Sequence, residues 1–378
     1  MINPQKFVNT LKKKEIEFVA GVPDSLLKSL CACISNEYSD NSHIIATNEG
    51  SAIALGIGYH LGSNKVPMIY MQNSGIGNII NPITSLADSK VYGIPMLLVI
   101  GWRGEVLNDG NQLKDEPQHK KQGLITIDQL DLLDITYEII DKNTENIDLL
   151  IDKLLYVAKL KNNPVALVVR KNTFSGYEFF PEIKNNNYLS RELIIEEIIK
   201  NSGDCKIITT TGMASRELYE IREKNNTSHE RDFLTVGGMG HASQIAAGLA
   251  IAQPNKKLIC IDGDGALLMH TGGLAISGKL DNLIHIVINN GVHDSVGAQP
   301  TMAQFLCLSE IARNFKYYTS VTVSSSEDLC ESIKESLISK KSYFIEVLSK
   351  PGSRKNLGRP LTTPIQNKNS FLSANLND

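Results

Sequence analysis

The stretch from Ile261 to Asn290 constrains the fold of this 378-residue chain more than any other. It reads IDGDGALLMHTGGLAISGKLDNLIHIVINN: an apolar strand ends at a Gly-Asp-Gly turn, a helical segment follows, and a second apolar strand ends on two asparagines. In a right-handed parallel crossover both strand ends lie at the same edge of one sheet. The sequence therefore predicts an α/β unit with Asp264 and Asn290 close together.

These two side chains favour a site for a hard divalent cation and a phosphate. Carboxylate and carboxamide oxygens suit Mg²⁺, which accepts few protein ligands and keeps positions for phosphate oxygens. The glycines of the turn let backbone N–H groups at the helix start approach a diphosphate. Gly-Asp-Gly alone is a common turn, so the prediction of a site depends on further motifs in the rest of the chain.

Composition excludes several classes of protein. The net charge of −3 gives no reason to expect nucleic acid or an anionic membrane surface as a partner. No apolar run has the length of a membrane span, and the N-terminal segment lacks the apolar core of a signal peptide. The six cysteines are scattered and several stand in apolar runs, which is typical of buried free thiols. We therefore expect a cytoplasmic protein.

Apolar strands alternate with helical segments in both halves of the chain. Near-continuous apolar strands between helices are typical of a parallel sheet that is covered on both faces. The fold class predicted is α/β, with two similar domains, each a mainly parallel sheet with helices on both faces. We expect the domains at residues 1–172 and 189–350, a linker rich in Pro, Gly and Asn at 173–188, and a tail without clear periodicity at 351–378.

The Gly-Asp-Gly turn followed at this distance by the Asn pair resembles the motif of thiamine diphosphate enzymes. The resemblance implies that the first domain binds the pyrimidine ring and the second binds the diphosphate and Mg²⁺. It also implies a homo-oligomer with the cofactor site between subunits. The implied magnesium ligands are Asp264, the side chain of Asn290 and the backbone carbonyl of Val292, with Asn289 as the alternative to Asn290.

Glu49 is the residue that would activate the cofactor, according to the same resemblance. It follows the strand HIIATN and begins a helix of small residues. The family places a glutamate here against the aminopyrimidine ring, where it favours the reactive tautomer. The alternative is a carboxylate at a helix start, stabilised by the helix dipole by less than about 1 kcal/mol.

Two further loops of the second half resemble cofactor-binding loops of the family. The segment TTTGMASREL resembles the first diphosphate loop, and VGGMGHAS resembles the turn that bends the cofactor. Met239 would be the wedge beneath the two rings, or else an ordinary core methionine. The cofactor-contacting residues implied are Glu49, Thr211, Gly212, Ser215, Gly237, Met239, Gly263, Asp264, Gly265, Ala266 and Asn290.

Motifs along almost the whole chain narrow the resemblance to the phosphonopyruvate decarboxylases. They include AGVPDSLLKSL, DEPQHKKQG, NNGVHDSVGAQPT and GSRKNLGRP. This resemblance implies a lyase that converts 3-phosphonopyruvate to phosphonoacetaldehyde and carbon dioxide. Sulfopyruvate or another 2-keto acid is the alternative substrate. The two domains of sulfopyruvate decarboxylase commonly sit on separate subunits, so a continuous chain favours the phosphonate enzyme.

An anionic substrate requires cations, and the proton transfers require groups that can exchange a proton near neutral pH. Each candidate cation has a solvated surface charge as its alternative interpretation. The candidates for the phosphonate lie in a long predicted loop (103–123) and in the tail: Arg103, Lys120, Lys121, Arg354, Lys355 and Arg359. The candidates for proton transfer, which the sequence does not rank, are Asp24, His119, His293 and Asp294.

Two other classes of function compete with an enzyme of this kind. A thiamine diphosphate-binding regulator without activity would not need Glu49. A nucleotide- or flavin-binding α/β protein would not need the pair formed by Asp264 and Asn290.

Overall fold

The computed structural model describes residues 1–177 and 187–374, and the chain divides into two compact units, Met1–Pro181 and Glu182–Asp378. Each unit is a mainly parallel sheet flanked by helices, which confirms the predicted fold class. Residues 178–186 of the predicted linker and residues 375–378 of the tail lie outside the described part.

The first unit contains a six-stranded sheet in the order β2-β1-β3-β4-β6-β5, with every neighbouring pair parallel. Its strands are β1 (Val19–Gly21), β2 (His43–Ile45), β3 (Met68–Gln72), β4 (Leu97–Gly101), β5 (Thr136–Ile140) and β6 (Val165–Val169). Its helices are α1 (Pro4–Lys13), α2 (Lys28–Glu37), α3 (Glu49–Ser63), α4 (Ile76–Pro82), α5 (Pro117–Leu132) and α6 (Ile147–Lys161).

Both faces of this sheet are buried, as its apolar strands require. In β3, Met68 and Tyr70 face one core cluster, whereas Ile69 and Met71 face the other. Successive side chains of a strand point to opposite faces, so a strand covered on both sides must be apolar throughout. Glu49, at the start of α3, and the loop after β1 follow the carboxyl ends of β2 and β1 in this sheet.

The second unit has a main sheet in the order β14-β15-β11-β10-β8-β9, with β7 added beside β15 and a separate small antiparallel pair, β12–β13. Its strands are β7 (Leu189–Ser190), β8 (Lys206–Thr209), β9 (Asp232–Leu234), β10 (Leu258–Gly263), β11 (Leu283–Asn289), β12 (Val292–His293), β13 (Gln299–Pro300), β14 (Thr319–Val323) and β15 (Tyr343–Lys350). Its helices are α7 (Arg191–Asn201), α8 (Met213–Lys224), α9 (Ala242–Ala252), α10 (Asp264–Met269), α11 (Leu274–Ser277), α12 (Leu308–Asn314), α13 (Ser326–Ile338) and α14 (Pro364–Ser373).

Strands β10 and β11 are parallel neighbours, as the opening motif predicts. Their register pairs Leu258 with Leu283 and Gly263 with Ile288. The Gly-Asp-Gly turn and the asparagine pair therefore lie at the same edge of the sheet, because both follow the carboxyl ends of adjacent strands.

The prediction of a loop at 103–123 is wrong over its C-terminal part, which is helical. Helix α5 begins at Pro117, so His119, Lys120 and Lys121 lie on a helix. Proline at the first helical position has a suitable fixed φ and no N–H group to leave unsatisfied, which makes it a strong helix start.

The tail is more regular than its sequence indicates. It contains α14, which begins with a capping box formed by Thr363 and Gln366. Asn367 accepts a hydrogen bond from the Leu234 N–H (3.0 Å) and donates one to the Asp232 carbonyl (2.8 Å), so its side chain pairs with the edge strand β9. The contact combines this amide with the edge-to-face packing of Phe371 on Phe233 of β9, with ring centroids 5.7 Å apart. Neither contact depends on a periodic sequence pattern.

Within the described residues, no helix combines the length and the apolar character needed to cross a membrane.

Candidate active site

Asp264, the first residue of α10, is the best-defined part of the candidate metal site. Its side chain is buried, with 4% exposure. Its Oδ2 atom accepts hydrogen bonds from the Thr301 hydroxyl (2.6 Å) and the Gly291 N–H (3.1 Å). Burial raises the pKa of Asp264 to about 6, while the bonds from Thr301 and the backbone act in the opposite direction. A bound cation would stabilise the ionised carboxylate at this position.

The two asparagines after β11 have different partners. Asn289 donates through Nδ2 to Glu346 (2.8 Å) in the neighbouring strand β15. Asn290 donates through Nδ2 to Asp294 (2.8 Å), and its Oδ1 accepts from the Val292 N–H (3.1 Å). Asn289 also accepts from the Gly291 N–H (3.2 Å), so it links the sheet to the start of the loop. The contacts of Asn290 lie within the loop that also contains Val292. This difference favours Asn290 as the ligand.

Asp264, Asn290 and the backbone carbonyl of Val292 offer ligands that fit a magnesium ion beside a diphosphate. The donor set consists of a buried carboxylate, a carboxamide and a backbone carbonyl, all hard oxygen ligands of the kind Mg²⁺ prefers. Gly265 lies against His293, because a Cβ atom at Gly265 would stand 2.6 Å from His293 Cε1. The turn can therefore pack this closely only with glycine at that position.

The turn predicted to bend the cofactor lies next to α10. Gly238 and Gly240 adopt positive φ angles of 65° and 88°, on either side of Met239. A Cβ atom at Gly240 would stand 3.1 Å from the Ala266 carbonyl oxygen. Met239 is only partly buried, unlike a core methionine, and Gly237 is likewise partly exposed. The structure thus brings two of the predicted cofactor loops together.

The first predicted diphosphate loop has a more internal role at one of its residues. Ser215 is buried, and its hydroxyl donates to the Thr210 carbonyl (2.7 Å). It also forms a hydrogen bond with the Thr209 hydroxyl (2.6 Å). Thr211 and Gly212 are partly exposed at the start of α8, with Gly212 at a φ of 94°. Ser215 therefore shapes the loop, and Thr211 and Gly212 are its accessible members.

Glu49 begins α3 and is buried, with 5% exposure. Asn78 of α4 donates through Nδ2 to Glu49 Oε2 (2.7 Å). Gly75 lies so close that a Cβ atom there would stand 2.6 Å from Glu49 Oε1. A carboxylate serving only as a helix-start charge would be solvated, whereas this one is enclosed and oriented.

Asp24 lies in a polar cluster after β1 in the first unit. Its side chain is 1% exposed, and burial raises its pKa to about 6, opposed by the nearby Arg103 guanidinium. The Leu26 N–H donates to its Oδ2 (3.1 Å), whereas Oδ1 has no hydrogen-bond partner among the described residues. Among the proton-transfer candidates, Asp24 has the pKa closest to neutrality of those whose pKa is shifted.

Arg103 is anchored by its neighbours. Its guanidinium forms a two-pronged ion pair with Asp115 and donates to the Ser25 hydroxyl (2.9 Å). Burial tends to raise the pKa of Asp115, but the bonds from Arg103 and from two backbone N–H groups hold it well below its usual value. The cation therefore stands next to Asp24 in a fixed orientation.

The other predicted residues are dispersed. His119 is buried in α5, whereas Lys120 and Lys121 are exposed on the same helix. Burial lowers the pKa of His293 to about 4, so its imidazole is neutral at pH 7.

The tail cations also differ from one another. Arg354 pairs with Glu192 (2.9 Å) and with Glu220, whereas Lys355 and Arg359 are exposed. The structure therefore does not gather the six candidate cations into one cluster within either unit.

Four residues that orient predicted site residues were not predicted from the sequence: Asn78, Asp115, Arg191 and Thr301. Two of them had a usable signal, because Asp115 begins the DEPQHKKQG motif and Thr301 ends the NNGVHDSVGAQPT motif. Asn78 and Arg191 stand in no quoted motif.

Comparisons with known proteins match both halves of the chain. The family model for the N-terminal TPP (thiamine pyrophosphate, another name for thiamine diphosphate) binding domain of thiamine pyrophosphate enzymes matches residues 4–130. The model for the C-terminal TPP binding domain of the same enzymes matches residues 208–347.

The chain is also similar to curated decarboxylases along nearly its full length. It is 32% identical to a phosphonopyruvate decarboxylase from Streptomyces viridochromogenes, over 97% of this chain and 93% of that protein. It is 29% identical to one from Streptomyces hygroscopicus, over 96% and 92%. It is 28% identical to a sulfopyruvate decarboxylase from Methanosarcina acetivorans, over 93% of both.

The last comparison corrects one argument made from the sequence. A sulfopyruvate decarboxylase aligns with both halves of this chain as one continuous protein. Continuity of the chain therefore does not separate the phosphonate enzyme from the sulfonate enzyme.

Proposed function

Because the chain belongs to the thiamine pyrophosphate enzyme family and is a thiamine diphosphate-dependent carboxy-lyase, we propose that it decarboxylates 3-phosphonopyruvate to phosphonoacetaldehyde and carbon dioxide. The observation that supports this proposal is that two carboxylates, Glu49 and Asp264, are buried and oriented by hydrogen bonds at the positions where the resemblance implies an activating glutamate and a metal ligand. The phosphonate substrate is supported by the two phosphonopyruvate decarboxylases among its relatives.

The second unit would hold the cofactor by its diphosphate. Asp264, Asn290 and the Val292 carbonyl would bind Mg²⁺, and diphosphate oxygens would complete the coordination. The glycine-rich turn around Met239 would support the rings, and Thr211 with Gly212 would contact the diphosphate.

The first unit would supply the activating carboxylate. Asn78 fixes one oxygen of Glu49, and the close approach of Gly75 restricts the other side of the carboxylate. Glu49 would accept a hydrogen bond from the pyrimidine ring. When bound, thiamine diphosphate supplies a nucleophilic carbon and an electron sink for the bond that breaks as carbon dioxide leaves.

The overall reaction consumes one proton, which a protein group must deliver. Asp24 suits this role because its pKa of about 6 lets a fraction of its molecules carry a proton near neutral pH. His293, with a pKa of about 4, carries a proton in a far smaller fraction of molecules at that pH. Arg103, next to Asp24, would attract the phosphonate or carboxylate of the substrate.

We also propose that the protein is a cytoplasmic homo-oligomer with the cofactor between subunits. Helix α3 exposes Leu55 (40%) and Leu61 (72%), and α9 exposes Ile245 (40%) and Ile251 (63%). A shallow apolar groove lies beside Leu55, lined by Phe18, Ser51, Ala54, Leu55, Gly58 and Tyr59. Exposed apolar faces of this kind are typical of surfaces that a second copy covers.

The test compares carbon dioxide release from phosphonopyruvate, sulfopyruvate and pyruvate, each with and without thiamine diphosphate and Mg²⁺. We expect the highest kcat/KM with phosphonopyruvate, full dependence on both cofactors, and phosphonoacetaldehyde as the product by phosphorus NMR. A higher kcat/KM with sulfopyruvate would reject the phosphonate substrate and retain the decarboxylase assignment.

A further inference from the structure

Asp294 receives hydrogen bonds from three separate segments of the second unit. Its Oδ2 accepts from Asn290 Nδ2 (2.8 Å) and from Arg191 Nη1 (2.5 Å). Its Oδ1 accepts from the Gly352 N–H (2.9 Å). Both oxygens of the carboxylate are therefore engaged, which is the arrangement of a structural anchor and a poor one for a group that exchanges protons with a substrate.

Arg191 holds this carboxylate from the start of α7. Its side chain is 8% exposed, and it also forms a bidentate pair with Glu217 through Nε (2.7 Å) and Nη2 (2.9 Å). One guanidinium thus lies between two buried carboxylates. Bidentate contacts of this kind fix geometry as well as charge, and removing one partner leaves an uncompensated buried charge.

Asp294 also constrains Asn290, which lies with Val292 in the loop that is proposed to bind Mg²⁺ (the metal loop, residues 290–292). Because its Nδ2 is bound to Asp294, the carboxamide cannot rotate freely, and its Oδ1 faces the Val292 backbone. The same loop is joined to Asp264, whose Oδ2 accepts from the Gly291 N–H (3.1 Å). Asp294 therefore fixes the orientation of one proposed ligand beside the other.

We propose that Asp294, held by Arg191, is a positioning residue that orients Asn290 for the divalent cation. This assigns a role to Arg191, and it replaces proton transfer as the role of Asp294. The inference rests on the proposed function only in taking Asn290 as a magnesium ligand. Groups that orient a metal ligand typically change metal affinity by about 10–100-fold when they are removed.

The experiment measures Mg²⁺ affinity by calorimetric titration at saturating thiamine diphosphate. For Asp294→Ala we expect affinity at least about 10-fold below that of the unmodified chain, and for Asp294→Asn an intermediate value, because the amide oxygen can still accept from Asn290. Excess Mg²⁺ should restore decarboxylation, as expected for a role in positioning.

The matched control is Asp232→Ala. Asp232 is fully buried and pairs with Arg222 through two contacts of 2.8 Å and 3.0 Å, so its loss also breaks a buried bidentate pair. Among the described residues, Asp232 forms no hydrogen bond or ion pair with the metal loop, and we expect its replacement to lower thermal stability without changing Mg²⁺ affinity. Arg191→Lys provides a second test if Asp294→Ala does not fold, with an expected loss of affinity of several-fold.

Three results would overturn the inference. Unchanged Mg²⁺ affinity in Asp294→Ala would show that Asn290 needs no anchor. Lost turnover at saturating Mg²⁺ with unchanged affinity would return Asp294 to proton transfer. An equal loss of Mg²⁺ affinity in Asp232→Ala would show that the loss in Asp294→Ala comes from general destabilisation. If the unmodified chain binds Mg²⁺ and thiamine diphosphate but leaves phosphonopyruvate intact, the proposed substrate fails and the affinity comparison still decides the inference.

Discussion

Asn289 Nδ2 donates a hydrogen bond of 2.8 Å to Oε1 of Glu346, a carboxylate that is only 2% exposed. The other oxygen of Glu346 accepts from the Ser309 N–H (3.0 Å) and the Thr322 hydroxyl (2.9 Å). A buried carboxylate with several donors stabilises the fold only while those donors remain. The first asparagine of the pair thus anchors the loop to the sheet, and the contacts of the second lie within the loop.

Replacing each asparagine by alanine should separate the two roles. Asn289→Ala should lower the free energy of unfolding by about 1–3 kcal/mol, because Glu346 loses a donor, and leave Mg²⁺ affinity nearly unchanged. Asn290→Ala should lower Mg²⁺ affinity at least about 10-fold, with a smaller change in stability. Denaturant unfolding and calorimetric titration measure both quantities, and the opposite assignment of effects would make Asn289 the ligand.

Thr301 should support the metal site through its hydroxyl group. Thr301→Val keeps the shape of the side chain and removes the 2.6 Å bond to Asp264. We expect Mg²⁺ affinity to fall about 10-fold. Thr322→Val is the control, because it removes a hydroxyl bond to the buried Glu346. An equal loss of Mg²⁺ affinity in both variants would contradict a specific role for Thr301.

Asp24→Asn should stabilise the protein more at neutral than at acidic pH. The pKa of Asp24 is raised from 3.8 to about 6, so the folded state binds more protons than the unfolded state between these values. Stability therefore falls as pH rises through this window, by at most about 3 kcal/mol. Asparagine does not ionise, so its advantage should grow between pH 4.5 and pH 7.5.

Thermal unfolding of Asp24→Asn and the unmodified chain across that range tests this expectation. The exposed Asp40→Asn serves as the control for the removal of one surface carboxylate. A pH-independent difference for Asp24→Asn would mean that Asp24 is ionised throughout the range.

Leu55→Arg should disrupt the proposed oligomer. Leu55 lines the apolar groove on α3, and a guanidinium there would be desolvated if a second copy covered it. We expect analytical ultracentrifugation to show a smaller species, with turnover lost and each unit still folded. Leu160→Arg on α6, where the leucine is 66% exposed, should change neither property. An unchanged sedimentation coefficient for Leu55→Arg would remove this face from the interface.

The sequence predicts the elements that carry strong patterns and misses those that depend on single contacts. Asp264 and Asn290 could be predicted as neighbours because parallel strands bring their ends to one edge. Asn78 and Arg191 could not, since each reaches its partner across distances in sequence that no local pattern encodes. The same reason explains α14, which contacts β9 through Asn367 and Phe371.

At the start of α5, the sequence predicts a loop where the structure has a helix. The charged segment before it is typical of a loop, but Pro117 begins a helix there and places Lys120 and Lys121 on a regular surface. Polarity by itself does not separate an exposed helix turn from a loop, because both are solvated.

The most direct test of the account is the effect of Glu49→Gln on decarboxylation of phosphonopyruvate at saturating thiamine diphosphate and Mg²⁺. The amide keeps the size of the side chain but is a far weaker hydrogen-bond acceptor and base. We predict unchanged thermal stability and cofactor affinity with turnover reduced by at least about 100-fold. Turnover within a few-fold of the unmodified enzyme would contradict the assignment of Glu49 and, with it, the proposed mechanism.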